Sequence, residues 1–256
     1  MDDSKGKDVL LFSGFGTSDP AEMERTHGNL MERARARYPG MRVLLALTAP
    51  RVIERLYERT GERPFSLEEA LQEAPDWGEG EIFLVPVQVL KGREYEKVCQ
   101  ADAALEDQDR RVRLYEPLLH GYGLARMGDM LLKEAPEEED TAQVYVGHGT
   151  ALEDRARLSE LQERLCGAGR KDILIGDLHA GPEALLGTLA ERGFREVCLH
   201  SFMMTAGHHW EKHIAGEGEG SWKCILARAG FTVRCRKKSL LEREEVLEML
   251  LDLQGR

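Results

Sequence analysis

Short apolar runs alternate along the whole chain with longer segments whose apolar residues recur at helical spacing. The runs are continuous and rich in aliphatic residues, as expected for strands covered on both faces. Strands are predicted in the first part at 9–12, 43–47, 82–87 and 112–115, and in the second part at 144–146, 173–175, 197–199 and 232–235. Strands that alternate with helices in this way favour parallel sheets with right-handed crossovers.

Helices are predicted between these strands. The segment 20–38 has the pattern of one amphipathic helix, and Pro50 suits the first turn of another. Ser66 and Glu69 have the spacing of a capping box. Further helices are predicted at about 121–133 and 240–253.

The same plan occurs twice in the chain. An apolar strand is followed by Gly14-Phe15-Gly16-Thr17 in the first part and by Gly147-His148-Gly149-Thr150 in the second, where Thr150 is a candidate helix cap. The acidic stretch 134–140 is interpreted as a solvated linker. We therefore predict an α/β fold with two similar doubly wound parallel-sheet halves that face a central cleft. The predicted domains are 1–137 and 138–256.

A second internal match lies after the third strand of each half. Gly92-Arg93-Glu94-Tyr95-Glu96-Lys97 and Gly207-His208-His209-Trp210-Glu211-Lys212 share a glycine, an aromatic residue, a glutamate and a lysine at the same positions, so Glu94 aligns with His209. Open α/β sheets bind ligands at the carboxyl ends of their strands. We expect the strand-end side chains to converge there, namely His148, His179, His209 and, from the opposite half, Glu94.

This set of side chains is typical of a metal site. Imidazoles with a carboxylate nearby suit borderline divalent metals such as Co²⁺, Ni²⁺, Fe²⁺ or Zn²⁺. His208 and His209 are adjacent, so we expect only one of them to bind. Met203 is interpreted as pocket wall or core rather than as a ligand. The remaining histidines are interpreted as structural or surface residues: His27, His120, His200 and His213.

Composition excludes several classes of function. Lysine and arginine total 35 against 46 aspartates and glutamates, which gives a net charge of −11 and argues against nucleic-acid binding. The five cysteines are scattered without a CxxC pair, which favours a reducing, cytoplasmic setting. Apolar runs are too short to span a membrane, and residues 1–7 have no apolar leader segment. Neither glycine motif matches a nucleotide-binding pattern.

With these motifs identified, the chain resembles the class II tetrapyrrole chelatases, and most of all the anaerobic, early-insertion sirohydrochlorin cobaltochelatases of the CbiK type. The residues that carry the resemblance are Phe15-Gly16-Thr17, Gly92 to Lys97, Gly147-His148-Gly149-Thr150, Ser201 to His209 and the tail from Ala215 to Trp222. The resemblance implies two ferrochelatase-like domains and the insertion of Co²⁺ into sirohydrochlorin during cobalamin biosynthesis, with loss of two pyrrole protons.

The resemblance also implies roles for individual residues. His148 and His209 would bind the metal and accept protons, and Glu94 would be an acid on the opposite wall. We add His179 as a third metal ligand. The expected substrate contacts are Phe15, Gly16, Arg93 and Met203, with Arg93 among the basic groups that a polycarboxylate requires. Relatives form homo-oligomers, but no interface is apparent in this sequence.

Three positions depart from the family pattern. His179 stands where the family usually has an acid, Gln88 stands where it has a histidine, and His208 stands where it has an aspartate. Replacing a carboxylate with an imidazole shifts the preference among metals and removes a proton acceptor.

Three alternatives follow from the same residues. One is an Fe²⁺ or Ni²⁺ chelatase that acts on a related tetrapyrrole. Another is a non-catalytic tetrapyrrole or metal carrier, which would bind its ligand once without turnover. The third is a two-lobed solute-binding protein, which does not predict histidines at strand ends.

Overall fold

The computed structural model describes residues 8–77, 80–108, 110–149 and 152–254. The predictions for residues 1–7 and for Thr150 lie outside these ranges. The chain divides into two compact units. The first unit comprises the residues up to Gly121 together with those from Leu247 onward, and the second unit comprises Tyr122–Val246.

The first unit is built on a five-stranded parallel sheet in the order β3-β2-β1-β4-β5. Its strands are β1 Val9–Gly14, β2 Arg42–Leu47, β3 Phe65–Ser66, β4 Ile82–Val87 and β5 Val112–Leu114. Its helices before residue 121 are α1 Pro20–Met23, α2 Asn29–Arg37, α3 Pro50–Thr60, α4 Leu67–Glu73 and α5 Arg93–Glu106. Apolar side chains from both faces of the sheet form two buried clusters beneath these helices.

Local sequence signals explain where these helices begin and change. Asp19 accepts a hydrogen bond from the backbone N–H of Ala21 and caps α1. The single helix predicted over 20–38 is divided, because a π-helical turn at Glu24–Gly28 separates α1 from α2. The capping box is confirmed: Ser66 Oγ accepts from the N–H of Glu69, and the Glu69 carboxylate accepts from the N–H of Ser66.

The second unit has a four-stranded parallel sheet in the order β7-β6-β8-β9. Its strands are β6 Thr141–Gly147, β7 Ile173–Asp177, β8 Glu196–Ser201 and β9 Thr232–Arg236. The helices from here to the end of the described chain are α6 Gly123–Glu134, α7 Leu152–Gly167, α8 Glu183–Glu191, α9 Trp222–Arg228 and α10 Glu244–Leu251. A π-helical turn at Trp210–Ile214 and a 3₁₀ turn at Leu240–Glu242 complete the unit.

The two sheets share one strand order. The sequence β2-β1-β4-β5 in the first unit matches β7-β6-β8-β9 in the second, and β3 is an additional edge strand. The predicted fold class, two α/β halves with parallel sheets, is confirmed. No helix among the described residues is both long and apolar enough to cross a membrane.

The division between the units falls earlier than the predicted limit at 137/138. Helix α6 packs against α7 and so belongs to the second unit. The acidic stretch after α6 is held there too, because the buried Arg170 guanidinium donates to the carbonyls of Ala135 and Pro136 at 3.1 and 3.2 Å. Glu138 pairs with Arg234 of β9. The backbone of this stretch is therefore held within the second unit and does not form the boundary between the units, although Glu137, Glu139 and Asp140 are exposed.

Residues from Leu247 onward complete the first unit. The hydroxyl groups of Tyr38 and Tyr115 donate to the carbonyls of Leu251 and Leu253. Arg37 forms a salt bridge with Glu248 at 2.6 Å. A segment distant in sequence thus supplies part of the packing of this unit.

The two faces of the second sheet differ in character. One face carries Ala142, Val144 and Val146 and forms the apolar core of the unit with residues from β8 and α9. On the other face, His200 Nε2 lies 2.8 Å from the side-chain oxygen of Gln143, and its ring stacks on Tyr145 at 4.4 Å between centroids. Burial, together with the charges of Arg243 and Arg236, lowers the pKa of His200 to about 4.

This pKa lies below the ordinary value of 6.5. At pH values between about 4 and 6.5, the unfolded chain therefore binds a proton at His200 that the folded chain does not bind. The contribution of neutral His200 to stability is complete above pH 6.5 and is lost as the pH falls toward 4. We expect His200→Gln to reduce the pH dependence of the unfolding free energy by about 1 kcal/mol per pH unit between pH 6 and pH 5. Urea unfolding at both pH values measures this, and an unchanged slope would contradict the assignment.

Candidate metal site in the second unit

Three predicted histidines lie together at the carboxyl ends of neighbouring strands. His148 follows β6, His179 follows β7, and His209 follows the loop after β8. The register aligns Gly147 with Asp177 and Val146 with Ser201, which brings these strand ends to one edge of the sheet. The ring centroid of His148 lies 5.2 Å from that of His179 and 4.7 Å from that of His209.

These separations suit ligands of one metal ion. A metal–imidazole bond of about 2.1 Å places the ring centroid about 3.2 Å from the metal, so ligands at roughly 90° to 110° have centroids about 4.5 to 5.3 Å apart. The rings themselves meet edge to face, at 82° and 87°. Across the part of the chain that is described, no three His, Cys, Asp or Glu side chains already have the arrangement of a metal site. The rings therefore have the spacing of shared ligands, while the nitrogen atoms of the described side chains do not converge on one point.

Asp177 joins the loops that carry two of these histidines. Its Oδ1 accepts the backbone N–H of His179 at 2.8 Å, and its Oδ2 lies 3.3 Å from Nε of Arg155. The same carboxylate lies against Gly149, which has φ of +78° and where an added Cβ would be 2.1 Å from Asp177 Oδ1. The sequence analysis did not single out Asp177, although a carboxylate at the last position of a strand was the available signal.

His209 differs from the two exposed histidines in being half-buried. Its Nδ1 atom is buried and has no hydrogen-bond partner among the described residues. Desolvation, followed by the proximity of His148, His213, His208 and His179, lowers the pKa of His209 to about 4. The neutral imidazole that metals require is therefore its form at neutral pH. Of the adjacent pair, His209 is the one that contacts His148.

The cluster extends to a histidine that the sequence analysis interpreted as structural or surface. His213 lies on the π-helical turn, and its ring centroid is 5.4 Å from that of His209 and 5.8 Å from that of His208. Burial and the charges of Lys212 and His208 lower the pKa of His213. The spacing of four residues between His209 and His213 was the signal for this contact.

The predicted residues of the first unit lie after two neighbouring strands, β1 and β4. Phe15 is exposed, and Gly16 has φ of +77° with an added Cβ 3.0 Å from the Leu47 methyl groups. Arg93 and Glu94 begin α5, and both Glu94 carboxylate oxygens accept from Lys97 Nζ at 3.1 Å. These side chains are grouped at the carboxyl edge of the first sheet.

Two further positions are buried. Gln88, just after β4, has both side-chain amide atoms buried without a hydrogen-bond partner among the described residues. Met203, which the sequence analysis placed in a pocket wall or core, is packed into the apolar core of the second unit. Its contact with substrate stays a prediction.

A family model described as cobalt chelatase (CbiK) matches residues 7–253. The chain belongs to the cobalt chelatase family. It is therefore a metal chelatase, an enzyme for which a divalent metal ion is a substrate. The sirohydrochlorin cobaltochelatase of Salmonella typhimurium is 26% identical over 228 residues, which cover 88% of this chain and 86% of the relative.

Two solved structures of other proteins have folds similar to that of this chain. SirB from Bacillus subtilis, solved with Fe³⁺, has a TM-score of 0.62 at 13% identity over 96% of this chain and 93% of its own. DR2241 from Deinococcus radiodurans, a multi-domain protein with structural similarity to chelatases, has a TM-score of 0.56 at 16% identity. That match covers 98% of this chain and 56% of DR2241.

The contact between Gly149 and Asp177 predicts a specific cost for a methyl group. Gly149→Ala places Cβ against the carboxylate in addition to imposing a positive φ, so we expect it to lower the unfolding free energy by about 1 to 3 kcal/mol more than the control. The control is Gly193→Ala, because Gly193 has φ of +76° and an added Cβ meets nothing within 4 Å. Urea denaturation compares the two variants, and equal losses would show that the carboxylate does not constrain this loop.

Proposed function

We propose that this chain inserts Co²⁺ into sirohydrochlorin, with His148, His179 and His209 as the residues that hold the incoming metal. The observation that carries the proposal is the grouping of three imidazoles at the ends of β6, β7 and β8, with ring separations of 4.7 and 5.2 Å. The family and the name of the Salmonella typhimurium relative supply the tetrapyrrole and the metal.

The metal binds first to His209 in this proposal. Its lowered pKa keeps the ring neutral, so no proton has to leave before a metal–nitrogen bond forms. His148 and His179 are exposed, and turning their ring edges toward the same ion would complete its set of imidazole ligands. A site assembled from one half-buried ligand and two exposed ones binds the metal while leaving positions open for the macrocycle.

Insertion then exchanges ligands and releases protons. Macrocycle nitrogens replace the imidazoles one at a time, and the two pyrrole protons leave as the metal enters. The low pKa of His209 makes it a weak base, which suits it to holding metal rather than protons. His148, once it has released the metal, accepts a proton, and Glu94 is the second acceptor. The role of Glu94 rests on the family resemblance, because in its own unit it pairs with Lys97.

Contacts with the macrocycle are assigned to Phe15, Gly16, Arg93 and Met203. Sirohydrochlorin carries several carboxylates, and the chain has a net charge of −11, so binding requires local positive charge. Arg93 is exposed at the first position of α5 and supplies a guanidinium that can pair with a carboxylate. Phe15 presents an exposed ring that suits the flat face of a macrocycle.

An anaerobic insertion assay tests the proposal. Sirohydrochlorin is mixed with a catalytic amount of enzyme and with Co²⁺, Fe²⁺ or Ni²⁺ in separate reactions, because imidazole ligands accept all three metals. We expect multiple turnovers, fastest with Co²⁺, measured by the change in tetrapyrrole absorbance. We expect His148→Ala to lower kcat/KM by about 100-fold or more, since it removes a ligand and a proton acceptor.

His120→Gln is the matched control, because it removes a histidine that lies in the first unit, outside the metal cluster. Its rate should equal that of the wild type. Faster turnover with Fe²⁺ or Ni²⁺ would reassign the metal. A single stoichiometric binding event with every metal, and no rate above the spontaneous reaction, would instead establish a non-catalytic carrier.

A further inference from the structure

One lysine side chain joins the first turn of α5 to the end of β2. Lys97 Nζ lies 2.7 Å from the backbone carbonyl oxygen of Thr48 and 3.1 Å from each carboxylate oxygen of Glu94. An ammonium group has three N–H donors, so each donor has one of these oxygens as its acceptor. The contact is therefore a tether with three bonds, which reaches beyond the helix that carries both charged side chains.

The fold fixes both ends of this tether. The backbone N–H of Thr48 donates to the carbonyl of Gly14 at 2.9 Å, which extends the hydrogen bonding between β1 and β2 beyond the last residue of β2. On α5, Val98 follows Lys97 directly and is buried with Ala101 in the apolar core of the first unit. The ammonium group thus connects two anchored segments of the same unit.

Glu94 depends on this tether for a defined position. Its side chain is half-buried, whereas Glu96 in the same turn is exposed. A carboxylate and an ammonium group three residues apart on a helix surface hold each other only weakly when no other group takes part. The bond to the Thr48 carbonyl limits the positions of the ammonium group and, through it, those of the carboxylate.

Proton transfer gives this position a chemical meaning. In the proposed insertion, an N–H bond of the macrocycle breaks, its electron pair stays on nitrogen and binds the metal, and the proton forms an O–H bond with Glu94. A general base acts only when its acceptor atom lies within hydrogen-bond reach of the proton. The ammonium group of Lys97 has no lone pair, so it cannot accept the proton and can only determine where the acceptor lies.

We propose that Lys97 is a positioning residue for the chelatase reaction, which holds the Glu94 carboxylate against the end of β2 in the orientation that accepts a pyrrole proton. The proposal rests on the proposed function, because Glu94 is the second proton acceptor there. Lys97 acts through Glu94 and not through a contact with the metal or the macrocycle.

A kinetic double-mutant cycle tests whether Lys97 acts through Glu94. Lys97→Met, Glu94→Ala and the double variant are assayed anaerobically at saturating Co²⁺ for kcat and for the KM of sirohydrochlorin. We expect kcat to fall about 100-fold in Glu94→Ala and about tenfold in Lys97→Met, with KM changed by less than about twofold. The double variant should match Glu94→Ala, because without the carboxylate Lys97 has nothing to position.

Two further variants separate positioning from a general effect of charge. Lys97→Arg keeps a cation with several N–H donors, so its kcat should lie within about threefold of the wild-type value. The control is Arg157→Met, which removes another ion pair between residues three apart, with Glu160 on α7 at 2.7 Å. Its kcat should equal that of the wild type.

The tether can also be measured without turnover. Urea unfolding of the wild type, the two single variants and the double variant gives the coupling between Lys97 and Glu94. We expect a coupling of about threefold or more in the unfolding equilibrium constant. A chain that shows this coupling but has no chelatase activity would refute the proposed function and retain the tether, whereas additive effects on unfolding would overturn the tether itself.

Three kinetic results would overturn the proposal in an active chelatase. The first is an equal loss of kcat from Lys97→Met with and without Glu94, which would show a structural role independent of the carboxylate. The second is a raised KM for sirohydrochlorin at unchanged kcat, which would make Lys97 a ligand of a substrate carboxylate. The third is a wild-type kcat in Glu94→Ala, which would remove Glu94 from proton transfer and leave metal binding by the histidines untouched.

Discussion

The hydrogen bonds that hold β6 between β7 and β8 determine where the histidines of the metal cluster lie. Parallel strands in register bring their carboxyl ends to one edge, and here the register places Gly147 beside Asp177 and Val146 beside Ser201. The first residues beyond those ends are separated by little more than the strand spacing. Asp177 then fixes the two loops against each other through the backbone of His179 and the surface of Gly149. The positions of His148 and His179 are in this sense a property of the sheet, whereas His209 is placed by the loop that follows β8.

Two histidines of the second unit share a pKa lowered by burial but have different roles. Burial lowers the pKa of both His200 and His209 to about 4. His200 meets Gln143 through its Nε2 atom and stacks on Tyr145, so it contributes to the packing of the sheet. His209 has a buried Nδ1 atom without a partner among the described residues, and it borders other imidazoles. A neutral ring with neighbours of its own kind is available as a ligand.

The sequence predicted much of this because the fold depends on local patterns. The strand β4 was predicted at its observed limits, and the capping box at Ser66 formed as expected. The convergence of His148, His179 and His209 followed from a general property of parallel sheets. What the sequence did not reveal depends on tertiary packing: the π-helical turn that interrupts the helix after Pro20, and the one that brings His213 beside His209.

The boundary between the two units could not be predicted from local sequence patterns either. An acidic stretch without apolar spacing looks like a linker, and only the packed structure shows that Arg170 holds its carbonyl groups. Charge patterning along the chain carries no information about a distant guanidinium. The roles of Glu94, Arg93 and Met203 rest on the family resemblance and the chemistry of the substrate.

The return of residues from Leu247 onward to the first unit has a consequence for the order in which the protein is made. The second unit is a continuous segment, so all of its contacts can form as soon as Tyr122–Val246 has left the ribosome. The carbonyls that Tyr38 and Tyr115 bind belong to Leu251 and Leu253, which are synthesised after that whole segment. During translation, the contacts between the five-stranded unit and these last residues can form only after the second unit has been synthesised. The unit that begins first is completed last.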